Sequence, residues 1–397
     1  MRHIAALFLL TFAACADDVG PDEEFVEPDA GTEMSPDGAI ASLDGASTGD
    51  AGAAAASDAG VAVDAAVPNP GVVAAGVRWI GRVDLTSREA PRFSWSGTGF
   101  VARFRGTGLR ARLSNSSPFR FKAVVDGMPR PTFVAGTGEH ALATGLTQGE
   151  HTIALHRQSE GILGESQLTG LVVDDGALLA PPAPPARLIE LIGDSISAGY
   201  GNLGKLGDGD CFATQSHWDT YGAMAARAVS AELSTIAASG HGAYRNYDGD
   251  TMGTIGRRYE NARANSEQPK WTFDAQPQVV VINIGTNDVG KSASDPGQPY
   301  RDAYLRLVRT VRAKYPGARI VATIGPMLGG TQLAAIRGHL TAVVGTLNGE
   351  GDAKVSTFFG FETQTTDKFG CDAHPNLVEN QLMGDQLAAE LRRLLGW

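Results

Sequence analysis

From Arg187 onward, two alternating patterns leave few choices of fold. Short apolar runs at 188–192, 233–237, 279–284, 320–324 and 355–359 have the length and continuity of strands buried on both faces. Helical stretches lie between and after them, at 219–231, 299–314, 333–347 and 377–395. Strand and helix in alternation predict a parallel sheet with helices on both sides, because a parallel neighbour is reached only through a crossover. Sites in such sheets lie beyond the carboxyl ends of the strands.

Residues 77–180 obey a different period. In Leu109-Arg110-Ala111-Arg112-Leu113 and Phe119-Arg120-Phe121-Lys122-Ala123, apolar and basic residues alternate as half-buried strands require. Asp126-Gly127 marks a hairpin, and Gly106, Gly108, Gly136 and Gly138 punctuate the rest. Short strands without a convincing helix predict an all-β sandwich or jelly roll. Pro181-Pro182-Ala183-Pro184-Pro185 then forms a stiff connector. The expected units are therefore 77–180, a β-sandwich, and 187–397, a doubly wound α/β domain.

The net charge of −11 is no guide to partners once it is located. Residues 16–77 hold 13 Asp and Glu and no Lys or Arg, leaving 31 acids against all 33 bases elsewhere. A nearly neutral remainder gives no support to nucleic-acid binding. The segment 16–76 is rich in Ala, Asp, Gly and Pro, and such composition predicts a disordered acidic linker. Before it, Met1-Arg2-His3, an apolar stretch and Ala13-Ala14-Cys15 predict an export signal over 1–15. Its end resembles a bacterial lipobox, with Phe12 where Leu is usual, so Cys15 is a candidate for lipidation. The alternative is an ordinary signal peptide with Cys15 incidental. On the first reading the chain meets a membrane only through that lipid, at a cell surface or in a periplasm; otherwise it is secreted. No other apolar run reaches 20 residues, which excludes a multi-span membrane protein.

Four segments carry chemistry. Gly193-Asp194-Ser195-Ile196-Ser197 follows the first strand and fixes a serine at its tip. It is not the G-x-S-x-G elbow, because Ser197 stands where the second glycine belongs. Ala238-Ser239-Gly240-His241-Gly242 offers glycine amides after the second strand, and Gly285-Thr286-Asn287-Asp288 offers a side-chain amide after the third. Cys371-Asp372-Ala373-His374-Pro375-Asn376 precedes the last helix.

Together these segments resemble the blocks of the SGNH (GDSL-type) hydrolases. Gly199-Tyr200-Gly201-Asn202, Cys211, Tyr221-Gly222, Arg245-Asn246-Tyr247 and Cys371 are similar to carbohydrate esterase family 2. So are Trp79-Ile80-Gly81-Arg82 and Phe104-Arg105-Gly106-Thr107 in the β unit. The resemblance implies a flavodoxin-like SGNH domain behind a jelly roll, and removal of acetyl groups from polysaccharides such as xylan and glucomannan. It implies Ser195 as nucleophile and His374 as general base, with an oxyanion hole from the amides of Ser195 and Gly240 and the Asn287 side chain. The acid is open. SGNH enzymes usually have Asp three residues before the histidine, where this chain has Cys371. Either Asp372 orients His374, completing a triad, or a main-chain carbonyl does, leaving a Ser–His pair.

Trp218, Tyr244, Tyr247 and Trp271 are candidate sugar platforms, with His241 and Asn246 as pocket residues; core and loop roles are the competing readings. With Cys15 assigned to export, Cys211 and Cys371 are expected to be bridged in an oxidising compartment, the alternative being two separate thiols. No zinc spacing or phosphate loop occurs, so neither metal nor cofactor is expected. The rival functions are an SGNH lipase or thioesterase on longer acyl esters, and a non-catalytic glycan-binding surface protein.

Overall fold

The computed structural model describes the backbone of Val72–Val73 and residues 76–397 in full. The export signal 1–15 with Cys15, and nearly all of the linker 16–76, lie outside the described residues.

The β unit is a sandwich of two antiparallel sheets. One runs in the order Val72–Val73, Val77–Ile80, Gly99–Gly106, Gly149–Arg157, Phe119–Val125, Met128–Pro129. Ala177–Leu179 pairs with the third of these and Phe133–Ala135 with the fifth. The other runs Arg92–Phe93, Ser166–Asp174, Gly108–Asn115, Gly138–Ala143. Alternation in sequence becomes alternation in burial. Leu109, Ala111 and Leu113 face the core, while Arg110 and Arg112 turn outward to Glu139. Phe100, Phe104, Phe119, Phe121, Ile153 and Leu155 close the core, each side chain contributing about 1.5–3 kcal/mol by leaving water.

The second sheet is wholly parallel, in the order Glu232–Ala237, Leu188–Gly193, Val279–Asn283, Arg319–Thr323, Val355–Phe358. Numbered along the chain this is 2-1-3-4-5, the flavodoxin-like order, whose switch point lies between the first and third strands. Helices Tyr221–Ala228 and Leu377–Leu395 pack together, with Leu191, Val279 and Val281, in one core. Gly297–Lys314 and Gly330–Gly349 pack with Ile192, Val280 and Ile282 in another. The strand residues alternate between the two cores, as a sheet covered on both faces requires. Among the described residues no helix is long and apolar enough to cross a membrane.

The sandwich is joined to this sheet by more than the proline segment. Arg82, 1% exposed, reaches the strand Leu188–Gly193 and donates to Glu190 Oε2 at 3.1 Å. Tyr259 and Tyr315 donate their hydroxyls to the same carboxylate, each at 2.9 Å, and the guanidinium lies over the rings of Tyr259 and Phe273. A charge buried this deeply is tolerated only while paired. Glu190→Gln is therefore expected to lower unfolding free energy by about 3–5 kcal/mol, and a joint Arg82→Leu, Glu190→Leu change to lower it less. Urea unfolding of the three proteins tests this; a Glu190→Gln loss under about 1 kcal/mol would show that the pair does not hold the seam.

Candidate active site

The register of the parallel sheet places Gly193 opposite both Ala237 and Asn283. The three following segments therefore leave the sheet at one level. Gly193 is required sterically, since a Cβ there would lie 2.0 Å from Ser197 Oγ. The Asp194 carboxylate accepts the Ile196 N–H at 3.0 Å, capping a short helix, Ser195–Ala198, whose first residue is the candidate nucleophile. Ser197 is wholly buried against Tyr221 Oη, at 2.8 Å, which removes it from any chemical role.

His374 comes to this point from the far end of the domain. Its Nε2 lies 2.8 Å from Ser195 Oγ, while Nδ1 lies 3.1 Å from the main-chain oxygen of Asp372. A carbonyl can only accept, so the ring proton sits on Nδ1 and Nε2 presents its lone pair to the serine. Burial lowers the imidazole pKa below its ordinary value, against the opposing pull of the Asp372 carbonyl and charge. The neutral, proton-accepting form is thereby favoured near pH 7.

In the structure it is the main chain of Asp372 that faces the imidazole. Asp372 and Ala373 both have left-handed backbones, φ +54° and +55°, and this turn swings the Asp372 carbonyl back onto the imidazole. The Asp372 carboxylate, the triad candidate, makes no hydrogen bond to His374. The conformation costs about 1–2 kcal/mol per residue for an L side chain. It is held by Gln364 Nε2, which donates to Ala373 O at 2.6 Å, and by Cys371, whose amide donates to Gly201 O at 2.9 Å. Cys371 is also disulfide-bonded to Cys211 across 160 residues. On the chain-entropy account such a link is worth on the order of 5 kcal/mol.

The candidate oxyanion donors Gly240 and Asn287 lie on the segments that follow the two strands flanking Gly193. Gly240 has φ +77°, a conformation glycine adopts without penalty, and its carbonyl accepts the Tyr247 amide at 2.8 Å. Asn287 is 6% exposed; its Nδ2 spends one hydrogen on His241 O at 3.0 Å, leaving the other free. Beside it, buried Asp288 accepts the amides of Ala243, Tyr244 and Arg245 at 2.8, 2.7 and 3.0 Å, fixing the loop that follows Gly240. Burial still pushes the Asp288 carboxyl up to about 6 and that of Asp194 up to about 7.

The sugar-contact candidates fare unevenly. Trp218 is corrected: its ring packs against His156 at 5.4 Å and under the Arg227 guanidinium at 4.2 Å, rather than against the Ser195–His374 pair. Trp271 is likewise displaced, lining a cavity of about 250 Å³ at the amino ends of the strands with Arg78 and Glu232. Asn246 binds Met252 O and the Gly242 amide, and His241 Nδ1 binds Ser239 O at 2.7 Å, so both brace the loop. Tyr244 packs partly buried against the core; Tyr247 stays half-exposed. The sequence reading missed Tyr200 as a site residue. Its ring meets His374 edge-on at 4.7 Å and Phe212 at 4.8 Å, forming an apolar wall beside the imidazole. Its place in Gly199-Tyr200-Gly201-Asn202, just past the serine, was the available signal. Among the described residues no cluster of three or more His, Cys, Asp or Glu is arranged to hold a metal.

The 2-1-3-4-5 sheet and the four blocks at its carboxyl edge define an SGNH-type ester hydrolase fold preceded by a β-sandwich. Residues 191–377 match the GDSL-like lipase/acylhydrolase family, and residues 79–182 the carbohydrate esterase 2 N-terminal domain. A family two carbohydrate esterase from Clostridium thermocellum, solved in complex with cellohexaose, is 37% identical with a TM-score of 0.77, covering 81% of this chain and 100% of that one. The cellulase/esterase CelE of Acetivibrio thermocellus is 38% identical over 334 residues, 83% of this chain, which spans 40% of that protein's length. An acetylxylan esterase / glucomannan deacetylase of Cellvibrio japonicus is 24% identical over 330 residues, 81% of this chain and 89% of that protein. The chain belongs to carbohydrate esterase family 2 and is a carboxylic ester hydrolase.

Because a carbonyl, not a carboxylate, faces Nδ1, Asp372→Asn is expected to keep kcat within a few-fold of wild type. Asn tolerates the left-handed backbone, so only the charge is tested. A loss on the order of 10⁴-fold, as for an orienting aspartate, would restore the triad.

Proposed function

We propose that the protein removes acetyl groups from polysaccharides of the xylan or glucomannan type by an acyl-enzyme mechanism at Ser195. The observation that carries the mechanism is the 2.8 Å contact of His374 Nε2 with Ser195 Oγ, with Gly240 and Asn287 on the segments after the flanking strands as the oxyanion donors. As Ser195 Oγ attacks the acetyl carbonyl, His374 takes its proton, since a serine hydroxyl is otherwise a poor nucleophile. Negative charge then moves to the carbonyl oxygen, where each fixed donor is worth roughly 3–4 kcal/mol of barrier. The imidazolium returns the proton to the departing sugar oxygen, leaving acetyl-Ser195. Water, deprotonated by the same imidazole, releases acetate and restores the serine. The names of the Cellvibrio japonicus and Acetivibrio thermocellus relatives support a polysaccharide substrate. Tyr200 and Phe212 offer apolar surface for a sugar ring or the acetyl methyl.

Acetate release from acetylated xylan and acetylated glucomannan, beside 4-nitrophenyl acetate and octanoate, tests this reading with Ser195→Ala as control. Acetate from wild type alone is expected. Hydrolysis of octanoate but not acetate would move the reading to a longer-chain esterase. Activity surviving Ser195→Ala would remove Ser195 as nucleophile.

We further propose export and tethering through Cys15, on the strength of the Ala13-Ala14-Cys15 sequence and the acidic linker after it. Mass spectrometry of the mature chain is expected to find a diacylglyceryl-modified Cys15 at its amino terminus; an unmodified soluble chain would overturn the tether.

A further inference from the structure

The loop that carries Gly240 is held from outside the hydrolase sheet. The sandwich strand Gly149–Arg157 continues into Gln158-Ser159-Glu160, and Glu160 is completely buried against the residues around the serine. Its Oε2 accepts the Ser239 amide at 2.7 Å; its Oε1 accepts the Ser239 hydroxyl at 2.6 Å and Gln215 Nε2 at 3.3 Å. Its own amide donates to Gln215 Oε1 at 3.1 Å. Ser239 immediately precedes Gly240. Gln215 Nε2 also reaches Ala198 O at 3.3 Å, at the end of the short helix that begins with Ser195. One carboxylate therefore touches the oxyanion loop directly and the nucleophile's helix through one intermediary.

The segment bearing Glu160 is itself fixed. Arg157, fully buried, donates to the carbonyls of Ser159 at 2.9 Å, Glu160 at 3.3 Å and Gly164 at 2.9 Å, and lies 3.7 Å over the Phe119 ring. Gln158 Oε1 meanwhile accepts the Trp218 amide at 2.8 Å.

We propose that Glu160 is a positioning residue for ester hydrolysis. The sandwich lends this carboxylate to hold Ser239, so that the Gly240 amide points at the substrate's carbonyl oxygen. The inference rests on the Ser195 reading above and extends it to the β unit, which becomes part of the catalytic unit rather than an appended module. The chemistry demands an acceptor. Three donors converge on the two carboxylate oxygens, a set that an ionised carboxylate satisfies; an amide turns its own N–H toward the Ser239 amide or the Gln215 Nε2, and a protonated acid keeps the set only if the Ser239 hydroxyl reverses to accept.

Burial pushes the Glu160 carboxyl up to about 7, against the hydrogen bonds of Ser239 and Gln215 and the charge of Arg157. Asp194 and Tyr200 are the other titratable groups in its field. The hold is thus complete above that pH and weakens as Glu160 gains a proton below it. Asp194 titrates over the same range and is raised in part by the Glu160 charge, so Glu160→Gln moves its titration to lower pH as well, and the loss of kcat at constant KM is the readout that belongs to Glu160.

The test measures kcat and KM on 4-nitrophenyl acetate from about pH 5.5 to 8.5 for wild type, Glu160→Gln, Ser239→Ala and Ser195→Ala, each with a thermal melt. Glu160→Gln is expected to lower kcat roughly 10- to 100-fold with KM within about threefold, as misplacement of an oxyanion donor should. Its acid limb is expected to fall to lower pH than the wild-type limb, leaving the titration of His374. Ser239→Ala keeps the amide contact and is expected to lose less kcat than Glu160→Gln. A folded Glu160→Gln with wild-type kcat and an unmoved acid limb would overturn the proposal. Should Glu160→Gln fail to fold, Ser239→Ala and Gln215→Ala decide: a lower kcat at unchanged KM supports the proposal, and wild-type kcat in both overturns it. An active Ser195→Ala would instead sink the underlying reading, whereas an inactive Ser195→Ala beside an unaffected Glu160→Gln would sink only this one.

Discussion

Three parallel strands that end at one level are the constraint from which the site follows. Because Gly193 pairs with Ala237 on one side and Asn283 on the other, the next few residues of three distant segments emerge together. Parallel pairing makes this a property of the sheet, since all carboxyl ends lie on the same edge. Ser195, Gly240 and Asn287 need only short excursions to converge. His374 arrives by another route, from a turn ahead of the last helix, and it needs the most bracing: a disulfide, the Gln364 side chain and a strained left-handed pair. The number of restraints on each group follows the distance its backbone must be steered from the sheet.

Buried charge marks both ends of the seam between sandwich and sheet. Arg82 meets Glu190 in the strand that leads to Ser195, below the site; Glu160 meets Ser239 at the carboxyl edge. Each places a sandwich residue in a setting that would be costly without its partner from the hydrolase sheet. Two domains tied only by a proline connector would have no reason to bury ionisable groups against each other. The seam has the character of a core, and the disulfide closes its long loop wholly within the hydrolase domain, so the sandwich is held by packing and charge alone.

Much of this was legible in the chain. The five parallel strands were bounded in sequence to within a residue or two, because buried strands are short, predominantly apolar runs between polar segments. The last helix was read as Leu377–Leu395, with Asn376 supplying the cap by accepting the Val378 and Glu379 amides. The sandwich strands were legible wherever apolar and basic residues alternate. The candidate site was legible because its groups fall at strand ends within recognisable blocks. What escaped depends on backbone geometry or on separation. Which atom of Asp372 faces His374 turns on two positive φ angles, at residues that nothing in the sequence marks as left-handed. Glu160 contacts a loop 79 residues away and belongs to a domain whose pattern reports only its own core. Aromatic platforms were the weakest inference: Trp218 and Trp271 are flat, apolar residues equally suited to a sugar or to packing; Trp218 packs on His156 and Arg227, and Trp271 lies partly buried against the core beside a cavity at the other end of the sheet.

The main-chain carbonyl at Nδ1 sets the electrostatics of the whole site. A buried carboxylate there would stabilise the imidazolium strongly and bring its own desolvation cost. A carbonyl dipole fixes the tautomer at far lower cost but contributes less to holding the proton as it leaves the serine. More of the transition-state stabilisation must then come from the oxyanion side, from donors that are rigid before the substrate arrives. The oxyanion side of the described structure carries restraints of its own. Asp288 ties three consecutive amides after Gly240, Asn287 is steadied by the His241 carbonyl, and Glu160 grips Ser239. The buried carboxylates around the site touch the oxyanion loop and the cap of the serine's helix, not the histidine's Nδ1. In this architecture the acidic side chains are placed to hold backbone, and among the described residues no carboxylate is hydrogen-bonded to the His374 imidazole.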